Sequence, residues 1–567
     1  MNTASHTVRE TDVSGVLCFY VDMGHPASAA HLIFRQGMAD EPLHESGWLH
    51  LLEHLALLER ETLSRPIHGE VTMLLTRFAA FGGADEVTHQ LDRLCRWVAE
   101  PDFRLLARER GVLQARAQQR QDPLGRSLTW RYGASGPGVT SYAEVGALRA
   151  TPELLAERAW RVFNAANAIL VLDGPPPADL RLPLPAGEYQ PPVPATPVPR
   201  RFPAAYRDEG GLTMTGVVSR THEATFLPGV LERAVHDGLR ERLGGAYAPW
   251  ASMTETDDQH CVVGCGADVV PEILSTVAGA GLDVIRRLAE DGVPRAWVEE
   301  AVRQRVARLE LPGAAADVAL ESAYAVLSDR VPRSHEELLD QVRTTNPQLV
   351  DTAVRELQAT MLVGLPEDAK LARSLKLVTF PEVEPVGEGK RHSHVNWPAD
   401  PSSFSVDPQV AEVVTGTTAR AMRMSDVVGV YAWRDGTRRL VGRDGSVLEM
   451  EARQWANGER LAATLDDAVP PELHLPMPDR EVTFRRMGLA ERCAVGFARS
   501  ANTKPGLVVL TSVTLLLTIW SVIGGHKLLA VVLLALSASL GAQLWRLEGG
   551  QLRVPASAVP PRSPDPA

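Results

Sequence analysis

Residues 47–54, GWLHLLEH, place two histidines and a glutamate in an otherwise apolar stretch. On a helix, positions i, i+3 and i+4 share one face, so His50, Glu53 and His54 converge there. Two imidazoles one turn apart suit a tetrahedral zinc ion with bonds of about 2.0–2.1 Å. A carboxylate between them can take a proton from a water that the metal has acidified. The order H-x-x-E-H is that of an inverted zinc-hydrolase motif. The same spacing also suits a helix that merely packs two half-buried histidines, so the surrounding sequence has to separate the two readings.

The run GWLHLLEHLALLERE has helical periodicity and no breaker after Gly47. The chain around it is long, at 567 residues, and calls for several domains. With 45% hydrophobic and 23% charged residues it is globular in composition, and a formal charge of −12 gives no basic footprint for nucleic acid. Cys18, Cys95, Cys261, Cys265 and Cys493 are scattered. Cys261 and Cys265 fall in CVVGC, a strand-like stretch that would hold them about 13 Å apart, too far for a disulfide. They read as buried small hydrophobes. The N-terminus has no apolar segment of the kind a signal peptide needs.

Proline-rich stretches divide the chain. Residues 179–203 and 380–403 read as linkers, bounding segments 1–178 and 204–379 of similar length. Each segment opens on a strand-like run (VLCFYVDM, GLTMTGVVSR), continues through helical patterns and closes on an apolar strand (NAILVLDGP, ATMLVGLPE). The expected fold class is α+β: two homologous half-domains of antiparallel sheet with helices, the product of a duplication. Two Asp-Gly turns between short alternating runs predict a small β-rich domain at 404–500. The apolar runs 506–525 and 528–545 are each about membrane-spanning length and predict a transmembrane helical hairpin at 506–545, followed by a disordered tail at 546–567. Arg485, Arg486, Arg492, Arg499, Lys504, Arg546 and Arg553 flank the pair, against Lys527 alone in the turn. By the positive-inside rule this predicts a multi-pass protein of the cytoplasmic membrane whose remaining domains face the cytoplasm.

GMADEPLHESGWLHLLEHLAL, an acidic approach into the histidine motif, resembles the metal-site region of the insulinase/pitrilysin family of zinc peptidases. Downstream, LRERLGGAY (239–247) is similar to that family's second-half signature. The resemblance covers about residues 10–380. It implies Zn²⁺ at His50 and His54, Glu53 as catalytic base, Arg240 and Tyr247 holding a peptide substrate, and a homo- or heterodimer with a related subunit. It also implies a third ligand, a glutamate seven residues after the Glu of an E-R helix. In ERGVLQAR, Glu109 and Arg110 match, but the ligand position is Arg116. A guanidinium cannot ligate zinc. Either Glu109 completes the sphere, or another carboxylate such as Glu70 or Glu86 does, or Arg116 pairs with Glu53 in place of the cation. The corresponding functions are a peptide-cleaving zinc metallopeptidase with an incomplete metal site and a non-catalytic peptide-binding or partner subunit.

Overall fold

The computed structural model describes residues 7–58, 67–119, 124–208, 211–241, 246–269, 271–311, 313–367, 369, 375–380, 382–481, 483–501, 504–523, 533–534 and 537. The chain forms two compact units. One comprises Met1–Glu382, Met422–Glu449 and Leu465–Asp479; the other comprises Val383–Ala421, Met450–Thr464 and Arg480–Ala567.

The first half of the larger unit contains β1 (Val8–Val13), β2 (Val16–Val21), β3 (Ala29–Arg35), α1 (Trp48–Ala56), β4 (His68–Val71) and β5 (Leu75–Phe81). It continues with α2 (Ala84–Ala99), α3 (Leu106–Gln119), α4 (Gly125–Tyr132), α5 (Pro152–Val162) and β6 (Ala168–Leu172). The second half contains β7 (Ala204–Arg207), β8 (Leu212–Ser219), α6 (Leu227–Val235), a π-helical turn His236–Glu241, β9 (Ala246–Glu255) and β10 (His260–Val269). After these come α7 (Leu274–Asp291), α8 (Arg295–Leu309), α9 (Ala314–Leu327), α10 (His335–Arg343), α11 (Pro347–Ala359), β11 (Leu362–Leu365) and β12 (Lys376–Leu377).

The two six-stranded sheets run β1-β2-β6-β3-β5-β4 and β12-β7-β11-β8-β10-β9. Outermost β1 and β12 apart, the orders β2-β6-β3-β5-β4 and β7-β11-β8-β10-β9 are the same path drawn twice. Directions match as well: β2–β6 and β7–β11 are parallel, and the remaining pairs are antiparallel. In chain order α1 runs from β3 towards β4 and α6 from β8 towards β9, so the two helices are counterparts. Mixed α+β half-domains are therefore present as the sequence predicts.

Both faces of the first sheet are covered, which accounts for the near-continuous apolar runs of its central strands. Side chains alternate along a strand. Cys18, Leu32 and Leu170 face a core built with Leu49, Leu52, Leu91 and Leu155 of α1, α2 and α5. Phe19, Ile33, Ile169 and Val171 face the other way, onto Ala315, Ala319, Ala323 and Leu327 of α9. The alanine stripe of α9 lets this second-half helix lie close against the first-half sheet. Arg131 of α4 makes a second tie: it is 2% exposed and donates to the Thr215 carbonyl (2.7 Å) and hydroxyl (3.1 Å) of β8.

A four-stranded sheet of Val427–Ala432, Arg438–Gly442, Val447–Met450 and His474–Pro476 belongs mainly to the larger unit. The smaller unit carries a sheet ordered His392–Ser393, Ser403–Val406, Val410–Thr415 and Thr418–Arg423, and the helices Leu489–Ala501 and Lys504–Ile523. Cys18, Cys95, Cys261 and Cys265 are free and buried, and Cys493 is free and exposed.

The membrane expectation is corrected. Among the described residues no helix is long and apolar enough to cross a membrane. A hairpin needs two complete apolar helices of about 20 residues each. The first run forms Lys504–Ile523, interrupted by Thr511, Ser512, Thr514, Thr518 and Ser521, and the Ser537 hydroxyl bonds that of Thr514 at 2.7 Å. Apart from residues 533, 534 and 537, the second run lies outside the described residues, as does the tail 546–567. A multi-pass protein of the cytoplasmic membrane, with its domains facing the cytoplasm, is not supported.

Candidate metal centre

Helix α1 is held at its N-terminus by a buried carboxylate. Glu41, 3% exposed, accepts from the Gly47 amide (2.8 Å) and the Leu49 amide (2.7 Å). It thereby satisfies two of the donors that a helix start leaves open. Burial pushes the Glu41 carboxyl up to about 7, against the opposing pull of Arg158 and of these two N–H groups. Gly47 enters the helix at φ +85°, and a Cβ there would lie 2.6 Å from that of Glu144. Glycine is needed at this position for both its conformation and its size. The turn that carries Glu144 docks on α1 through the Trp48 indole, which donates to the Gly146 carbonyl at 3.0 Å.

These contacts fix the histidines. His50 Nδ1 is 2.8 Å from Glu144 Oε1, and His54 Nδ1 is 3.1 Å from Glu109 Oε2 of α3. A carboxylate only accepts, so each Nδ1 carries its proton, and in the neutral imidazole that a metal requires each Nε2 presents a lone pair. Both lone-pair nitrogens face Glu53: its Oε2 is 4.0 Å from His50 Nε2 and 3.8 Å from His54 Nε2. The two rings meet edge to face, with centroids 4.8 Å apart. The other oxygen of Glu53 lies against β4, where a Cβ on Gly69 would come within 2.1 Å of Oε1. Gly69 is thus the gap in the sheet edge that admits the glutamate.

The ligand atoms of His50, Glu53 and His54 all lie within 4.8 Å of one another. Tetrahedral zinc with bonds of about 2.0–2.1 Å sets its ligands about 3.4 Å apart, so side-chain shifts of about an ångström close the set. Carboxylates on both Nδ1 atoms are the outer support that metal-bound histidines characteristically have. By donor chemistry the cluster fits a zinc ion.

The structure brings His50, Glu53, His54 and Glu109 together, with Glu109 behind His54 on the Nδ1 side. Arg116, one of the sequence's concerns, is exposed two turns further along α3. Glu70 pairs with Arg77 at 2.6 Å, and Glu86 lies against Gly82. Arg240 is exposed in the π-helical turn after α6. Tyr247 of β9 pairs with Asp268 of β10, and its side chain lies outside the described residues. Glu144, Gly69 and Glu41 are participants that the sequence reading missed. Glu41 alone left a signal, in the acidic approach to the motif.

No family model and no curated protein matches the sequence. Solved structures do. An inactive M16 peptidase domain from Pseudomonas fluorescens superposes with a TM-score of 0.52 at 14% identity, over 64% of this chain and 100% of that one. A protease from Helicobacter pylori gives 0.50 at 12% identity, over 64% and 100%. The chain has the M16 peptidase fold. A chain of complex III2 from Candida albicans also superposes, at 0.50 and 14% identity over 64% of this chain and 97% of that one. The M16 fold thus serves a domain described as inactive and a protein described as a protease, so the chemistry has to be argued from the site.

Proposed function

We propose that this chain is a peptide hydrolase of the M16 fold in which His50 and His54 hold a zinc ion through Nε2 and Glu53 is the catalytic base. The observation that carries this reading is the double support of the histidines. A packing role needs neither two carboxylates on the two Nδ1 atoms nor two lone pairs aimed at a third carboxylate. Glu144 and Glu109 keep the imidazoles in one tautomer and one orientation. Glu53 takes the proton of the attacking water and delivers it to the departing amide nitrogen as the C–N bond breaks. A bound zinc ion would supply Lewis-acid polarisation of the scissile carbonyl. The edge strand β4, with Gly69 beside Glu53, offers backbone groups along which an extended peptide can lie. Arg240 and Tyr247 hold that peptide from the other half: Arg240 lies in the turn that follows α6, the counterpart of α1, and Tyr247 on β9, the counterpart of β4. A second copy or a related subunit completes the enclosure.

A second reading rests on the third donor. Glu53 is the carboxylate nearest the two Nε2 atoms, while Arg116 stands where a separate ligand is expected. If Glu53 is itself the ligand, no base remains and the protein holds peptide without cutting it. Zinc content and peptide hydrolysis of wild type and Glu53→Gln separate the readings. Zinc retained with hydrolysis abolished makes Glu53 the base. Zinc lost makes it a ligand, and a wild type that binds no zinc rejects both.

A further inference from the structure

A second polar constellation lies in the same unit, away from the histidines. A pocket of about 260 Å³ opens between the segment leading from β8 into α6, the end of β9, the start of β10, and helices α8, α9 and α10. Arg220, Arg305, Arg330 and Arg333 line it, with Glu255 and Glu321 as its acids. Arg220 is buried and paired with Glu255, so that charge is already balanced. Among the described residues no carboxylate lies within ion-pair distance of Arg305, Arg330 or Arg333. Arg333 instead donates to the Gln341 side chain, a neutral partner, at 2.5 Å. His222, also in the wall, is held below the ordinary histidine range by burial, with Glu223 opposing and Arg305 and Arg333 adding to the shift. Three guanidinium groups thus gather around one concavity with Glu321 as the remaining acid.

Like charges drawn into a concave surface focus their field outward and concentrate counter-ions there. Guanidinium forks match the geometry of carboxylate and phosphate oxygens. The volume is below the roughly 300 Å³ at which sites for drug-sized ligands begin, so the group that fits is small. We propose that this pocket binds an oxyanion, a phosphate or carboxylate group carried by a small molecule or a short peptide. It touches the edge of the first sheet through Tyr324, whose hydroxyl is 3.2 Å from Arg77, the partner of Glu70 on β4.

The test is calorimetric titration of the full chain with inorganic phosphate, and separately with a short glutamate-bearing peptide and its glutamine counterpart. Sodium chloride at matched ionic strength is the control. Arg305→Ala and Arg333→Ala remove exposed side chains and leave buried Arg220 in place, whereas Arg303→Ala removes an exposed arginine that pairs with Glu300 outside the pocket. Binding of phosphate or of the acidic peptide, weakened at least tenfold by either pocket variant and less than twofold by Arg303→Ala, supports the assignment. Phosphate alone points to a phosphorylated small molecule, and the acidic peptide alone to a peptide carboxylate. In wild type, the bound anion also raises the His222 pKa followed by NMR, a readout that needs no variant. No binding of either ligand, equal heat from chloride, unaltered affinity in both pocket variants, or a His222 that does not move would overturn it.

Discussion

Replacing Gly69 by alanine puts a methyl carbon where the glutamate of the histidine motif already is. The added Cβ would lie 2.1 Å from Glu53 Oε1, 2.5 Å from Cγ and 2.7 Å from Cδ, whereas real Cβ contacts essentially never fall below 3.0 Å. The carboxylate, 6% exposed and enclosed by α1 and β4, has to retreat by at least 0.9 Å, the difference between 3.0 and 2.1 Å. A misplacement of about 1 Å in a reacting group costs about 100-fold in rate, and overfilling a packed site costs about 1–3 kcal/mol of stability. Gly69→Ala is therefore expected to lower kcat/KM for peptide hydrolysis about 100-fold and to shift the urea midpoint downward. Gly111→Ala is the control: it lies mid-helix in α3 with nothing within 4 Å of the added carbon, so it should leave kcat/KM unchanged and add about 0.5–1 kcal/mol. A Gly69→Ala protein with kcat/KM within threefold of wild type and an unchanged midpoint would refute the placement of Glu53 against β4.

Glu109→Gln and Glu144→Gln should each weaken zinc binding about 10–100-fold, the usual cost of losing the outer partner of a ligating histidine. A competitive chelator titration measures it, and complete loss in Glu109→Gln would instead make Glu109 a ligand. Arg116→Glu, at an exposed position, should change zinc affinity less than about threefold, because exposed charges contribute only about 0–1 kcal/mol; a gain of orders of magnitude in the same titration would bring position 116 into the metal sphere. Glu41 has a folded-state pKa near 7, raised from 4.5. Between these values the folded state binds the extra proton, so this group's stabilising contribution is fully present below about pH 4.5 and is lost as pH rises through 7. Urea unfolding from pH 4.5 to 8 should show wild type losing stability relative to Glu41→Gln, by up to about 3 kcal/mol, and parallel curves would show that Glu41 does not titrate in this range.

What the sequence discloses depends on how far apart the cooperating residues are. His50, Glu53 and His54 are legible because helical geometry alone brings them to one face. The repeated architecture of the two halves is legible because each repeats a strand, a helix and a closing apolar strand in order. Glu144 is not, since it meets His50 across 94 positions from a turn that carries no local pattern. Gly69 looks like any glycine until the fold lays β4 across the glutamate. The family resemblance puts Arg116 at the third-ligand position, seven residues after Glu109, yet two turns of α3 carry it out to solvent. The membrane hairpin is expected from the length of two apolar runs, a criterion that gives little weight to hydroxyl groups spaced along a helix such as Thr514 and Thr518.

The alanine face of α9 has a consequence for how this molecule can be divided. The helix is encoded in the second half but lies on the sheet of the first, where it covers Phe19, Ile33, Ile169 and Val171. Once that exchange is made, the two halves no longer come apart as independent units. A first half cut loose at the proline-rich connection would bare a contiguous apolar sheet face and be prone to aggregate, and the second half would carry a helix with no surface to cover. The two halves cannot swing apart as separate jaws while this contact lasts, so the proline-rich segment joins them without acting as a hinge. Insertions, tags and split-protein designs should accordingly treat residues 8–365 as one indivisible body.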